Sequence, residues 1–127
     1  MKRYRLNVRS DLFFTRAAFK RERFFRVTTM LIDTGSSFTI VSWDTLTSLG
    51  IDPATSHVRR SLMTANGLIQ APEVTVEELH CFGQVLKQFP IVAHSIPLGA
   101  SVGVVLGMNF LRQYTTNLNF RDSMIEV

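Results

Sequence analysis

A chain of 127 residues with 46% apolar and 19% charged side chains can bury a sizeable core, which excludes a disordered or fibrous polymer and predicts one domain over residues 1–127. Its single cysteine, Cys81, excludes an intrachain disulfide and fits a reducing compartment, so a cytoplasmic location is expected. The net charge of +4 is unevenly placed, with +7 through residue 26 and −3 over the remainder. A basic segment of this kind suits RNA, DNA or an anionic membrane, and equally a solvated face on a strand pair.

Met1-Lys2-Arg3 has the charge of a leader, but Arg5, Arg9 and Asp11 interrupt the apolar run that a leader needs, so no signal peptide is expected. Tyr4 to Val8 alternates as a half-buried strand, and Phe24 to Ile32 is β-branched and aromatic enough for a second. Asp11 to Arg23 fits either a short helix or a hairpin extension. Phe38 to Val41 predicts a strand, after which Ser42 caps a helix over Trp43 to Leu49 with Gly50 as its stop. Ser61 to Ala65 and Leu68 to Gln70 flank Asn66-Gly67, a dipeptide suited to a type I′ hairpin turn. Val74, Val76 and Leu79 continue the return strand, and Phe89 to Ala93 forms another in which Pro90 favours an edge or a bulge. The uncharged stretch from Ser95 to Leu111 is shorter than the ~20 residues of a spanning helix and holds Pro97 and three glycines, so no membrane span is expected. A short helix near Asn109 to Tyr114, a strand at Asn117 to Phe120, a turn at Arg121-Asp122-Ser123 and a strand at Met124 to Val127 complete the chain. Many short strands with one or two short helices predict an all-β fold, a closed or nearly closed β-barrel.

Two patches carry chemistry. Asp33-Thr34-Gly35-Ser36 follows the apolar run Met30-Leu31-Ile32, and Val104-Val105-Leu106-Gly107-Met108-Asn109-Phe110-Leu111 lies about seventy residues later. In this order they resemble the single-lobe, retropepsin-like aspartic proteases, over roughly residues 26 to 127. The resemblance implies Asp33 as the catalytic carboxylate, with Thr34, Gly35 and Ser36 as its supporting loop and Val105, Leu106 and Gly107 on the strand beneath it. It places Ala65, Asn66, Gly67, Leu68 and Ile69 in a substrate-covering flap, with apolar Leu68 and Ile69 favouring apolar substrate side chains. The motif occurs once, and Asp11, Asp44, Asp52 and Asp122 lack the following Thr-Gly. The resemblance therefore implies a homodimer in which each chain supplies one Asp33 to a peptide or protein substrate, with no cofactor and no metal. Such a chain is too short for the two-lobed pepsin design.

Peptide hydrolysis needs one group to take a proton from water and another to donate to the carbonyl oxygen. Two adjacent carboxylates sharing one proton supply both, as in aspartic proteases generally. Ser36 stands where retroviral enzymes usually carry alanine and pepsin-like enzymes serine or threonine, so its hydroxyl is expected to donate to the carboxylate and shift the activity optimum toward acid. The retroviral pairing of an aspartate four residues after the catalytic one with an arginine after the second-patch glycine is absent, because Ser37 and Met108 occupy those positions. That departure points to a cellular or bacterial branch.

Two other functions fit parts of the chain. A non-catalytic dimerisation or peptide-binding module would keep the barrel, although the intact Asp33 loop weighs against it. Nucleic-acid binding through residues 1–26 is the less favoured alternative; there, Tyr4, Phe13, Phe14 and Phe19 interleave with the basic residues. His57, His80, Cys81 and His94 match no familiar metal-ligand spacing. Trp43 and the phenylalanines are expected in the core rather than as a ligand platform.

Overall fold

The computed structural model describes residues 1–64, 67–99 and 101–127. The chain opens with β1 (Arg3–Arg5), β2 (Asn7–Arg9) and β3 (Leu12–Arg21), and returns along β4 (Phe24–Ile32). A short β5 (Ile40–Val41) leads to α1 (Trp43–Ser48) and a single 3-10 turn at Pro53–Thr55. The hairpin β6 (Arg59–Thr64) and β7 (Gly67–Cys81) comes next, then β8 (Gln84–Ala93), β9 (Val102–Leu106), α2 (Met108–Leu111), β10 (Asn117–Asn119) and β11 (Met124–Glu126).

Strands β3, β4, β9, β5, β8 and β7 are hydrogen-bonded in that order, and a further β3–β7 pairing closes them into a six-strand barrel. Closure matters because it leaves these strands no free edge. β2 and β6 extend the ladder outside the ring, and β1, β11 and β10 form a separate three-stranded sheet. The segment left open between helix and hairpin is a hairpin: Ala17 and Phe19 of β3 point inward, and tight turns flank the strand, with φ of 51° at Ser10, 60° at Asp11 and 53° at Glu22. Phe19, Met30, Leu79, Ile91, Val104, Leu106 and Phe110 fill the barrel.

The run Val102–Leu106 is buried along its whole length, as expected of a strand covered on both faces. Val104 and Leu106 face the barrel, whereas Val102 and Val105 pack outside it with Phe14 and Leu31. This switch follows from an irregularity at Gly103: Thr29 pairs with Val102 but Met30 with Val104. The Gly103 N–H donates to Thr28 Oγ1 at 3.0 Å, and a Cβ there would collide with the hydroxyls of Thr28 and Thr45.

Several boundaries differ from expectation for local reasons. β5 begins at Ile40 rather than Phe38, because Phe38 and Thr39 are engaged in loop hydrogen bonds. α1 has the expected Ser42 cap, whose Oγ accepts from Thr45 N–H at 3.2 Å, but ends at Ser48 with Leu49 as its C-cap. α2 starts at Met108 and stops short of Tyr114. Pro90 pairs with Thr75 on one side, while β5 meets β8 only from Val92 onward, so its missing N–H disrupts no ladder there. Trp43 is a correction: at the exposed start of α1 it is 38% exposed, not core. Phe25 and Phe120 are likewise exposed.

Cys81, near the end of β7, is buried, and desolvation pushes its thiol from the ordinary value of 9.0 up to about 12. The unfolded thiol ionises above pH 9 while the folded one stays neutral, so this group's contribution is complete below pH 9 and lost as pH rises toward 12. Denaturant unfolding between these limits is expected to show a decline of up to about 1.4 kcal/mol per pH unit attributable to this thiol. Cys81→Ala removes that component, and an identical pH slope in the variant would contradict it.

Candidate active site

Asp33 stands where β4 leaves the barrel. Its N–H donates to Leu106 O at 3.0 Å, continuing the parallel β4–β9 pairing one step past Ile32. The chain then reverses: Ser36 N–H donates to Asp33 O at 3.3 Å, and Gly35 N–H donates to Asp33 Oδ1 at 2.8 Å. The carboxylate is half-buried, and Thr34 and Gly35 at the tip are exposed. Thus one carboxylate oxygen is anchored by the loop itself while the tip faces outward. A shallow pocket of about 280 Å³ lies beside this tip, lined by Thr34, Met108, Leu111, Tyr114, Thr116 and Leu118.

The second patch forms the floor. Met108 N–H donates to Ser36 O at 2.8 Å, and Gly107 N–H donates to Thr39 Oγ1 at 3.1 Å. A Cβ on Gly107 would strike the Phe38 carbonyl and come within 2.8 Å of Ser36 O, so only glycine lets the two backbones approach this closely. Thr39, fully buried, donates to Asn109 Oδ1 at 2.6 Å, and Asn109 Nδ2 donates to Pro90 O at 3.0 Å. Sequence reasoning missed the supporting roles of Thr39 and Asn109. The available signal was a hydroxyl amid an apolar strand and an amide two residues after the second-patch glycine, both of which need a buried partner. Leu106 lies inside the barrel, and Val105 joins the outer cluster next to Leu31.

Ser36 corrects one expectation. Its hydroxyl donates to Phe38 O at 2.7 Å, so its proton closes the loop and is not directed at the carboxylate. Ser36→Ala is therefore expected to cost about 1–2 kcal/mol of stability by leaving a buried carbonyl without its donor, while the pH-rate profile keeps its position. A displaced profile would restore the original expectation.

The β6–β7 hairpin carries the described residues expected to form a flap. Gly67 has φ of +106°, and Leu62 pairs with Ile69 on the face that packs against Phe38, Ala71 and Val92. Because strand side chains alternate, Leu68 points the other way and is 70% exposed beside Met63. Of Leu68 and Ile69, only Ile69 faces the Phe38 side of the hairpin. Ala65 and Asn66, with the turn expected there, lie outside the described residues. Among the described residues no group of three or more His, Cys, Asp or Glu is placed to hold a metal, and no helix is long and apolar enough to cross a membrane.

A closed barrel with Asp-Thr-Gly at the exit of a parallel strand pair and a glycine-bearing strand beneath it defines the retropepsin-like class. The aspartyl protease family matches residues 26–110. A protein of Sinorhizobium sp., described as an uncharacterized protein in the cobV 5′ region, is 32% identical over 99 residues, covering 73% of this chain and 42% of that protein. The chain thus spans less than half the length of this relative. The crystal structure of a retropepsin-like aspartic protease from Rickettsia conorii superposes with a TM-score of 0.73 at 20% identity, covering 98% of this chain and 88% of that one. The chain belongs to the aspartyl protease family, and its fold is retropepsin-like.

Proposed function

We propose that the chain is an aspartic endopeptidase acting as a C2 homodimer, each copy supplying one Asp33. The observation that carries this reading is the loop itself: a half-buried carboxylate with one oxygen held by Gly35 N–H, beneath an exposed Thr34-Gly35 tip. The remaining aspartates lie elsewhere, Asp11 in the β2–β3 turn, Asp44 in α1, Asp52 capping the 3-10 turn and Asp122 in the β10–β11 turn. A second carboxylate therefore comes from a second loop of the same kind, and twofold symmetry is the simplest way to bring two exposed tips together.

In the paired site the two carboxylates share one proton, since like charges at contact do not both ionise. The ionised member takes a proton from water as its oxygen attacks the peptide carbonyl carbon, and the protonated member donates to the carbonyl oxygen. Collapse of the tetrahedral diol breaks the C–N bond as the member that took the water's proton donates it to the nitrogen and the other member takes a proton from a diol hydroxyl, so the pair is again singly protonated. Ile69, the partly exposed apolar residue on the inner face of the flap hairpin, supports a preference for apolar side chains near the cut. Cleavage of an unstructured protein across pH 3 to 8, followed by mass spectrometry of the products, tests the reading. Acid-range cleavage beside apolar residues is the expected result, and products unchanged by Asp33→Asn would overturn it.

The nucleic-acid alternative is weakened by what the basic segment's aromatic residues touch. Tyr4 packs on Phe82 at 5.4 Å between ring centroids, Phe13 stacks on Phe120 at 5.7 Å, and Phe19 is fully buried. The Phe14 ring is covered by Arg9 at 4.4 Å. These four leave little aromatic surface for stacking bases, and Phe25, 54% exposed, is the aromatic residue of the segment that keeps an open face.

A further inference from the structure

Arg60 on β6 lies on the same face as Leu62, the face that packs toward Phe38, five residues from Asp33. Its guanidinium sits 4.1 Å from the centre of the Phe38 ring, and its Nε donates to Glu73 Oε1 at 2.6 Å. Glu73 is itself fixed, since its N–H donates to Val58 O at 2.9 Å and its carbonyl accepts from Ser56 Oγ. The guanidinium is thus held over an aromatic ring at the base of the flap hairpin. Yet Arg60 is 45% exposed, and among the described residues only its Nε is hydrogen-bonded, leaving both terminal nitrogens as unengaged donors.

A guanidinium has five N–H donors in a planar fork suited to a carboxylate, and here the fork is held in place by its contact with the Phe38 ring and by Glu73, which lowers the entropy lost on binding. The positions at which retroviral enzymes place a charged pair hold Ser37 and Met108. We infer that Arg60 is a specificity-determining residue that recognises an acidic side chain of the peptide at a position flanking the cut. This rests on the peptide-cleaving reading of the site. Glu73 has two opposed effects: it orients the fork, and its charge competes with the incoming carboxylate.

The test is binding of fluorescein-labelled short apolar peptides, identical except for Glu or Gln at each flanking position in turn, to Asp33→Asn protein, on which they remain uncleaved. At one position the Glu peptide is expected to bind about tenfold tighter than its Gln twin, a modest factor for a charge-assisted contact that is partly solvated. Adding Arg60→Gln abolishes the difference, and Arg60→Lys keeps part of it, with the charge but not the fork. Glu73→Gln enlarges the difference, whereas a purely structural clamp predicts that Arg60→Gln and Glu73→Gln weaken all peptides alike. That uniform weakening, a preference surviving in Arg60→Gln, or no Glu preference at any position would overturn the inference. Because binding is measured without turnover, absence of cleavage by wild type would count against the protease reading alone.

Discussion

Asp33→Asn is expected to lower kcat/KM for peptide cleavage by at least about 10²–10⁴-fold, the range for removing a general acid–base group. In the proposed homodimer the loss sits at the upper end or beyond, because the two carboxylates would act as a unit and the variant would remove both at once. Asparagine keeps an oxygen that accepts from Gly35 N–H, the contact of 2.8 Å that holds the loop. The fold and the melting temperature are therefore expected to stay close to wild type, and initial rates with a thermal melt of the same sample check both halves. Substantial residual cleavage by the folded variant would place the chemistry elsewhere.

Gly107→Ala is expected to damage stability and activity together. The backbone there is extended, with φ of −108° and ψ of −171°, so any residue tolerates the torsions and the penalty is wholly steric. The added methyl would meet the Phe38 carbonyl and Ser36 O, backbone atoms that cannot swing aside like the end of a long side chain. Overpacking of this kind costs about 3 kcal/mol, roughly 10 °C in melting temperature for a chain of this size. Relief comes only by pushing the Asp33 loop outward, and a displacement near 1 Å costs catalysis about a further hundredfold. Calorimetry and initial rates on Gly107→Ala measure the two effects, and a variant with wild-type rates would show that the loop does not rest on this strand.

The residues most legible in sequence were those whose chemistry leaves little choice. A carboxylate ending an apolar strand before Thr-Gly, and a glycine ending the run Val104-Val105-Leu106, could be paired at a distance through their resemblance to the retropepsin-like proteases, and the two strands do lie side by side. Alternation and turn residues gave the hairpins and the barrel class. Other features were set by tertiary contacts that no local pattern encodes. Whether Asp11 to Arg23 became helix or strand depended on β4 and β7 flanking it on both sides. The Ser36 hydroxyl was expected to reach the carboxylate, and only the path of the loop turned it to Phe38 O. Likewise, the Thr39–Asn109–Pro90 chain joins residues from three distant segments, and the contact of Arg60 with the Phe38 ring requires the β6–β7 hairpin to pack against the loop.

The central claim is that one active site takes an Asp33 from each of two chains, and mixing wild type with Asp33→Asn protein at fixed total concentration tests it most directly. If the site is shared, chains re-associate at random and activity follows the square of the wild-type fraction, about a quarter of the starting value in an equal mixture. A linear fall, to about half in that mixture, would show that each chain works alone and would contradict the shared site.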